Sequence, residues 1–298
     1  MKILLFGRNG QVGWELQRAL APLGELVALD SDSTTLSADF TRPESLRDTV
    51  RSVKPDLIVN AAAHTAVDKA ESEPDLARLL NAMAPGVLAE EAARSGAWLL
   101  HYSTDYVFDG SGDQPRDEDA PTGPLSVYGR TKLEGEALIR ASGCRHLVLR
   151  TSWVYAARGG NFAKTMLKLA AERDKLTVID DQFGAPTGAD LLADVSAHAV
   201  REALREPALS GTYHAVAGGE TTWWAYARFV IEHARALGQP IKVAPDAIVP
   251  VPTTDFPTPA ARPRNSRLST QRLQQAFGLR LPPWQQGVER MLSEVLGR

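Results

Sequence analysis

The sequence predicts an α/β protein whose centre is a doubly wound parallel sheet. Short apolar runs recur along the first half of the chain, for example at residues 3–6 and 57–59, and they alternate with longer amphipathic stretches such as residues 11–20. Strands that are apolar on both faces and separated by helices form parallel sheets with helices on both sides. The alternation weakens after about residue 150. We therefore expect a sheet domain over residues 1–150 and a smaller, mixed region over residues 151–298, parts of which return to the sheet.

Each predicted element follows from its own pattern. Residues 11–20 carry apolar side chains at helical spacing, and Pro43 suits the first turn of the next helix. Residues 240–263 are rich in proline, which argues against long regular elements there. The predicted strands are residues 3–6, 26–29, 57–59, 98–100, 146–149 and 212–216, and the predicted helices are residues 11–20, 43–53, 124–139, 162–171, 222–236 and 282–296.

Composition excludes several classes of protein. The chain has 298 residues, of which 44% are hydrophobic and 23% are charged, as in globular rather than disordered proteins. Its net charge of −3 and its scattered basic residues give no reason to expect binding to nucleic acid or to a membrane surface. The single cysteine, Cys144, cannot form an intrachain disulfide, and the first apolar run is too short for a signal peptide. We therefore expect a cytoplasmic protein.

A glycine-rich turn lies between the first predicted strand and the first predicted helix. Gly7, Gly10 and Gly13 are spaced three residues apart at this junction. In the dinucleotide-binding Rossmann fold, such glycines permit a tight turn, let the backbone approach a pyrophosphate and let the helix pack closely on the strand. The amino terminus of the helix then offers unpaired N–H groups to the phosphates. The turn therefore predicts a dinucleotide site.

Acidic residues after the second strand suit the adenosine half of such a cofactor. Asp30 follows Gly13 at close to the spacing of about 20 residues at which a carboxylate binds the adenosine ribose. Asp39 and Phe40 come next and could close over the adenine. A carboxylate at Asp30 favours NADH, whereas Arg8 in the glycine turn could bind the 2′-phosphate of NADPH, so both cofactors stay open.

Tyr128 and Lys132 form the one Tyr-x-x-x-Lys pattern of the chain, within a predicted helix. Residues four apart share a helix face, so the cation would lie beside the phenol and lower its pKa. Tyr128 could then donate a proton to a carbonyl oxygen as a hydride reaches the carbon. Thr104 follows the fourth strand at the sheet edge of the glycine turn and could hydrogen-bond the reacting oxygen. The neighbouring Ser103 should point the other way, because side chains alternate along a strand.

Together these motifs resemble the extended short-chain dehydrogenase/reductase superfamily. The glycine turn, the Asn-Ala-Ala-Ala segment at residues 60–63, Thr104 and the Tyr128/Lys132 pair carry that resemblance. Longer strings narrow it to the dTDP-4-dehydrorhamnose reductase family: NAAAHTAVDKA (60–70), STDYVF (103–108), RTSWVY (150–155), DQFGAPT (181–187) and RPRNSRL (262–268). The resemblance runs over nearly the whole chain and implies a Rossmann domain followed by a mixed C-terminal substrate-binding region.

The resemblance implies hydride transfer from NADPH or NADH to the 4-keto group of dTDP-4-dehydro-L-rhamnose, giving dTDP-L-rhamnose. Tyr128 would be the proton donor, Lys132 would modulate its pKa and bind the nicotinamide ribose, and Thr104 would tune the reacting oxygen. Motif and resemblance together predict cofactor binding by Gly7, Gly10, Gln11, Val12, Gly13, Asp30, Asp39, Phe40, Ala63, His64, Thr65, Tyr128 and Lys132. The implied substrate-binding residues are Thr104, Asp105, Trp153, Asn161, Arg262 and Asn265.

Two further expectations concern assembly and packing. Some members of the family dimerise through a metal held by acidic side chains, so Mg²⁺ and a homodimer are expectations here. The candidate ligands are Glu15, Asp190 and Glu294, and solvated helix carboxylates are the alternative interpretation. Trp223 and Trp224 could stack against a base or a sugar, but an amphipathic helix favours placing one of them in the core.

Two other functions stay open at this point. A nucleotide-sugar epimerase or dehydratase would share the superfamily motifs but keep its cofactor bound between turnovers. A dehydratase also needs a pair of carboxylates near the tyrosine, and Asp105 supplies only one. A non-catalytic regulatory subunit that binds NADP would be free to lose Thr104, Tyr128 and Lys132, all of which are present.

Overall fold

A computed structural model describes residues 1–297 of the chain. Its strands are Lys2–Phe6 (β1), Glu25–Leu29 (β2), Leu57–Asn60 (β3), Trp98–Thr104 (β4), Arg145–Thr151 (β5), Val154–Tyr155 (β6), Leu176–Ile179 (β7), Phe183–Gly184 (β8), Thr187–Gly188 (β9), Gly211–His214 (β10), Thr221–Thr222 (β11) and Ile248–Val251 (β12). Its α-helices are Gln11–Leu20 (α1), Pro43–Val53 (α2), Val67–Ser72 (α3), Pro74–Arg78 (α4), Ala84–Ser95 (α5), Val127–Ala141 (α6), Phe162–Glu172 (α7), Ala189–Arg205 (α8), Trp223–Ala236 (α9), Gln271–Phe277 (α10) and Trp284–Leu296 (α11). A π-helical segment, Leu79–Met83, joins α4 to α5.

Six strands form one parallel sheet in the order β2-β1-β3-β4-β5-β10. The order reverses beside β1, because the chain passes outward from β1 to β2 and resumes at β3 on the other side. In doubly wound sheets, ligands bind outside the carboxyl ends of the strands where the order reverses. The predicted doubly wound α/β fold is confirmed.

Alternate side chains of β1 are buried on opposite faces of the sheet. Ile3 and Leu5 pack in the cluster that contains α1 and α8, whereas Leu4 and Phe6 pack in the cluster that contains α2 and α5. All four side chains are fully buried. Burying a side chain of this size contributes about 1.5–3 kcal/mol, so helices on both faces are what make such an apolar strand favourable.

The chain after β5 divides its residues between the sheet and a second region. Helix α8 packs on α1, and β10 extends the sheet beside β5. The strand pairs β6–β9, β7–β12 and β8–β11 and the helices α7, α9 and α11 form the second region. Its core contains the buried aromatic side chains Tyr155, Tyr226 and Trp284.

The predicted strands and helices are all present, and some ends differ. Helix α6 begins at Val127 rather than at residue 124, because the Ser126 hydroxyl accepts a hydrogen bond from the N–H of Gly129 and caps the helix there. Strand β4 continues to Thr104, four residues beyond the predicted end. Across residues 1–297, no helix combines the length and apolar composition needed to cross a membrane.

Candidate active site

The glycine turn between β1 and α1 lets a ligand approach the backbone closely. Gly7 has a φ of 86°, and a Cβ there would lie 2.7 Å from the backbone nitrogen of Ala62. A Cβ on Gly13 would overlap the carbonyl oxygen of Gly7, so α1 can pack this closely only on glycine. Gly10 precedes α1, and no side chain within residues 1–297 caps the helix there. The first N–H groups of α1 can therefore bind an anion.

The carboxylate of Asp30 is fixed just after β2. It accepts hydrogen bonds from the backbone N–H groups of Asn9 at 2.9 Å and of Ser31 at 2.8 Å. The guanidinium of Arg8 lies nearby, 3.3 Å from Asp32, and its side chain is partly exposed. Asp30 therefore lies where the motif predicts the adenosine ribose and lines the cavity, whereas Arg8 pairs with Asp32 two residues later.

Asp39 and Phe40 continue the same side of the site. Phe40 packs edge-on against Phe6 of β1, with ring centroids 5.6 Å apart. The Thr41 hydroxyl hydrogen-bonds Asp39 and lowers the pKa of that carboxyl. Both residues line the cavity that Asp30 lines, so they could contact a flat base.

One cavity of about 730 Å³ lies at the carboxyl ends of the sheet strands. Its lining joins the glycine turn, the ends of β2, β3, β4 and β5, and the first turns of α6. The predicted residues that line it are Gly7, Gly10, Gln11, Val12, Asp30, Asp39, Phe40, Ala63, Thr65, Thr104, Asp105, Tyr128, Lys132 and Trp153. The dinucleotide motif and the Tyr128/Lys132 pair therefore share one crevice, of the size typical for ligand pockets.

Tyr128 keeps its proton at neutral pH. Burial raises the pKa of Tyr128 to about 12, although its hydrogen bond with Thr104 acts in the opposite direction. The expectation that Lys132 lowers this pKa towards neutrality is wrong for this structure, because Lys132 Nζ turns to the carbonyl oxygen of Tyr102 at 2.6 Å. A protonated phenol beside a hydroxyl suits a proton donor.

Thr104 and Ser103 point in opposite directions, as alternation along β4 predicts. Thr104 lines the cavity beside Tyr128, where its hydroxyl donates to Asp105 Oδ1 at 3.1 Å and accepts from the N–H of Tyr106 at 3.2 Å. The Ser103 hydroxyl donates to Glu136 at 2.6 Å, and Arg150 pairs with the same carboxylate at 2.7 Å. Thr104 is therefore the hydroxyl available to a reacting oxygen.

Three buried polar atoms near the catalytic side chains suit a ligand rich in hydroxyl groups. Burial raises the pKa of Asp105 to about 6, although hydrogen bonds from Ser266 and Thr104 lower it. Asp105 Oδ2 has no hydrogen-bond partner among residues 1–297, and neither do the hydroxyl groups of Thr151 and Ser152 within that part of the chain. All three residues line the cavity. Buried polar atoms of this kind are costly unless something pairs with them.

Asn81 positions the loop after β3, and no sequence motif predicted it. It lies fully buried in the π-helical segment. Its side chain accepts from the N–H of His64 at 2.8 Å and donates to the carbonyl oxygen of His64 at 3.1 Å. The same amide donates to the Thr131 hydroxyl of α6 at 3.1 Å. An asparagine in a mostly apolar stretch was the one local signal, and it does not reveal which loop the side chain reaches.

Two stacked tryptophans form a wall of the cavity. Trp153 has a φ of 49°, and its ring stacks on Trp223 with centroids 3.7 Å apart. A Cβ on Gly184 would lie 2.8 Å from the Trp153 ring, so glycine leaves the room that this conformation needs. Trp223 packs against the core of the second region and also lines the cavity. It can therefore both belong to that core and contact a ligand, the two roles considered for it from the sequence.

Two predicted ligand contacts, His64 and Asn265, are not part of the cavity lining. The His64 ring lies 3.6 Å from Glu73. Asn265 is 2% exposed, and its amide donates to the carbonyl oxygens of Ser111 at 3.3 Å and Gln114 at 2.9 Å. The Asn265 amide holds two loops together and the His64 ring lies beside Glu73, so a cofactor contact by His64 and a substrate contact by Asn265 stay predictions.

Asn161 and Arg262 lie beside the cavity rather than in its lining. Asn161 caps α7 and lies 3.4 Å from the side-chain oxygen of Gln11, which does line the cavity. The guanidinium of Arg262 forms two hydrogen bonds with Asp68, at 2.8 and 3.1 Å. Their contacts to substrate stay predictions, and Gly13 contributes by close packing alone.

The acidic residues considered for a metal pair with arginines. Asp190 and Glu294 lie 3.6 Å and 3.5 Å from Arg290, and Glu15 lies 3.5 Å from Arg18. Over the described residues, no group of three or more His, Cys, Asp or Glu side chains is placed to hold an ion. The expected Mg²⁺ therefore gains no support, and the homodimer stays a prediction.

Known proteins resemble the whole chain. The family model for the RmlD substrate binding domain matches residues 1–296. A dTDP-4-dehydrorhamnose reductase of Escherichia coli (strain K12) is 60% identical over 295 residues, 99% of this chain and 98% of that protein. The crystal structure of a dTDP-4-dehydrorhamnose reductase from Clostridium acetobutylicum is similar with a TM-score of 0.88 and 36% identity, covering both chains in full. That of a dTDP-4-dehydrorhamnose reductase from Bacillus anthracis in complex with NADP has a TM-score of 0.87 and 33% identity, covering 98% of this chain and 99% of the other.

Proposed function

The chain belongs to the dTDP-4-dehydrorhamnose reductase family, and we propose that it reduces the 4-keto group of dTDP-4-dehydro-L-rhamnose to give dTDP-L-rhamnose. A bound NADPH or NADH supplies the hydride. The observation that carries the proposal is the shared cavity, which Gly7 and Gly10 line on one side and Thr104 and Tyr128 on the other. Fold alone would fit many reactions, so this juxtaposition of motifs is what favours ketone reduction.

The side chains divide the reaction between them. The carbonyl oxygen of the sugar gains negative charge as its carbon is reduced, and the Tyr128 phenol donates its proton to that oxygen. Thr104, which lines the cavity with Tyr128, orients the oxygen and stabilises its charge. Lys132 lies one turn further along α6, lines the same cavity and would bind the nicotinamide ribose.

The cofactor site is built mainly from backbone. The N–H groups at the start of α1 bind the pyrophosphate, and Gly7 leaves the space that a Cβ would fill. Asp30 binds the adenosine ribose, while Asp39 and Phe40 flank the adenine. Ala63 and Thr65 line the nicotinamide end, where small side chains allow close approach.

We propose that NADPH or NADH serves as the reductant. Two backbone N–H groups already hold the Asp30 carboxylate, and the Arg8 guanidinium, which pairs with Asp32 in this structure, is the candidate for binding a 2′-phosphate. The 33% identical relative from Bacillus anthracis was crystallised with NADP, which supports use of the phosphorylated cofactor.

The sugar nucleotide occupies the remainder of the cavity. Trp153 provides an apolar wall, and Asp105, Thr151 and Ser152 offer the buried polar atoms that hydroxyl groups of the sugar would pair with. Asn161 and Arg262 are the candidates for the diphosphate.

A turnover assay tests the proposed reaction. Purified protein mixed with dTDP-4-dehydro-L-rhamnose should consume the absorbance of reduced nicotinamide with NADPH, with NADH or with both, and product analysis should show dTDP-L-rhamnose. No consumption with either cofactor would refute the proposal. Copurification of tightly held NAD would favour an epimerase, and a stoichiometric protein partner without turnover would favour a regulatory subunit.

A further inference from the structure

His101 lies in a buried chain of polar groups beneath the cavity. It is the fourth residue of β4 and is fully buried. Its Nδ1 atom lies 3.0 Å from Asn60 Nδ2, and its Nε2 atom lies 3.2 Å from Lys132 Nζ. No motif includes His101 in a catalytic role, and no step described above uses it.

The backbone of Ala62 fixes which ring nitrogen of His101 carries the proton. The N–H of Ala62 can only donate, and it lies 3.0 Å from the side chain of Asn60, so the Asn60 atom facing it is the amide oxygen. The other end of that amide is an NH₂ group, which donates to His101 Nδ1. A neutral imidazole that accepts at Nδ1 carries its proton on Nε2.

The Nε2–H group of His101 therefore points at Lys132. An ammonium group has donors and no acceptor, so a charged Lys132 would set two donors against each other, whereas an uncharged amine accepts this hydrogen bond. In either form Nζ donates to the Tyr102 carbonyl oxygen. We propose that His101 is a positioning residue that holds Lys132 Nζ beside this carbonyl and favours the uncharged amine in the free enzyme. The inference rests on the proposed function, in which Lys132 lines the cavity with the proton donor Tyr128 and binds the nicotinamide ribose.

The burial of both groups agrees with this arrangement. Burial, with the neighbouring Lys132, keeps the pKa of His101 well below its usual value, so the imidazole stays neutral. Burial also lowers the pKa of Lys132 to about 8, against the attraction of Glu136, which raises it. The group that changes charge near neutral pH is therefore the lysine and not the histidine.

The other titratable groups around Lys132 have partners of their own or face the cavity. Glu136 of α6 is paired with Arg150 of β5, which limits its pull on the lysine. Tyr128 of α6 and Asp105 after β4 line the cavity. Several charged groups on elements that pack against α6 have partners other than Lys132: Glu71 of α3 accepts from the N–H of Val127, Arg78 of α4 pairs with Glu134, and Glu91 of α5 pairs with Arg47 and Arg51.

Two variants distinguish the hydrogen-bonding roles of the two ring nitrogens of His101. The amide of His101→Gln reaches the Nε2 position and can offer its oxygen to a charged Lys132. The amide of His101→Asn reaches the Nδ1 position, so it can still accept a hydrogen bond from Asn60. It does not reach Lys132, which loses the hydrogen-bond partner that His101 Nε2 provides. The pH dependence of kcat/KM reports groups of the free enzyme, so loss of the Lys132 proton should appear as its alkaline limb.

We expect His101→Gln to move the alkaline limb of kcat/KM upward by about half a pH unit or more, because its oxygen stabilises the ammonium form. We expect His101→Asn to lower kcat about fivefold, with the Kd for NADPH within about twofold of wild type, because Lys132 is less well held. If both variants fold, bind NADPH and keep the wild-type limb, the inference is wrong.

Nitrogen NMR of the full wild-type chain tests the same inference without turnover and without a folded His101 variant. The two neutral tautomers of histidine differ in the chemical shifts of both ring nitrogens. The His101 signals are those lost in His101→Gln or, should that variant not fold, those displaced in Lys132→Met. We expect a neutral ring with its proton on Nε2 from about pH 6 to about pH 9, and a proton on Nδ1 or an imidazolium would overturn the inference. A wild-type protein that shows the expected tautomer but no turnover would contradict the proposed function alone.

Discussion

The indole rings of Trp153 and Trp223 stack with their planes inclined by 19° and their centroids 3.7 Å apart. Trp153 follows β5 of the parallel sheet, whereas Trp223 begins α9 of the second region. The indole N–H of Trp223 donates to the side-chain oxygen of Gln182 at 3.1 Å, and this hydrogen bond fixes the orientation of the ring. The stack therefore joins the two parts of the chain at the wall of the cavity.

Replacing Trp223 with alanine should weaken substrate binding. Trp153 loses the ring that holds it in its left-handed backbone conformation, and a stacked aromatic pair contributes about 0.5–1.5 kcal/mol beyond simple burial, so we expect KM for the sugar nucleotide to rise about threefold to tenfold. Steady-state kinetics measure this, with Kd for NADPH as the internal reference. Trp224→Ala is the matched control, because Trp224 does not line the cavity. An equal rise of KM in both variants would contradict a specific role for the stack.

Gly13→Ala should abolish most cofactor binding. The added methyl group overlaps the carbonyl oxygen of Gly7, so α1 must move away from the turn that binds the pyrophosphate. We expect Kd for NADPH, measured by fluorescence titration, to rise by at least about tenfold. At Gly160 a Cβ meets no atom within 4 Å, so Gly160→Ala should bind NADPH like wild type. Wild-type affinity in Gly13→Ala would show that the turn is not the phosphate site.

Arg8→Ala should discriminate between the two reduced cofactors. The guanidinium pairs with Asp32, two residues after Asp30, from where it could instead form charge-assisted hydrogen bonds with a 2′-phosphate that NADH lacks. We expect kcat/KM for NADPH to fall about tenfold and that for NADH to change less than about twofold. Arg18→Ala is the control for the loss of one positive charge, because it removes an arginine that pairs with Asp194 instead. Parallel losses with both cofactors would contradict 2′-phosphate binding by Arg8.

Asp105 should make the protein less stable as pH rises. Its pKa is raised from 3.8 to about 6 on folding, so the native state binds a proton more tightly than the unfolded state between these values. The free energy of unfolding should fall by up to about 3 kcal/mol from this group as pH rises from about 4 to about 7. Urea unfolding of wild type and Asp105→Asn at several pH values measures the difference. The asparagine variant should gain stability relative to wild type with rising pH, and a constant difference would contradict the raised pKa of this buried carboxyl.

Local sequence patterns predicted the parts of the site that depend on one element. The glycine spacing located the turn, and alternation along β4 separated Thr104 from Ser103, because each pattern is a property of one strand or one turn. The sequence also predicted the edge of the sheet at which these residues meet, because parallel strands place their carboxyl ends together.

Properties that depend on neighbours from distant segments were not predicted. Burial raised the pKa of Tyr128, where the spacing to Lys132 alone indicated a decrease. The side chain of Asn265 is 2% exposed, and its amide donates hydrogen bonds to backbone carbonyl oxygens of another loop. Trp223 reaches the cavity because α9 packs against the loop after β5, which no helical pattern reveals. Each of these outcomes is set by tertiary packing rather than by sequence spacing.

The most direct test of proton donation by Tyr128 is single-turnover reduction by Tyr128→Phe. The variant keeps the ring and its edge-on contact with Tyr106 but lacks the phenolic proton. We predict that the rate of NADPH oxidation with saturating sugar nucleotide falls about 10²–10⁴-fold while Kd for NADPH stays within about threefold. Tyr213→Phe, whose hydroxyl binds Leu209 away from the cavity, should keep the wild-type rate. A rate for Tyr128→Phe within about tenfold of wild type would contradict Tyr128 as the proton donor.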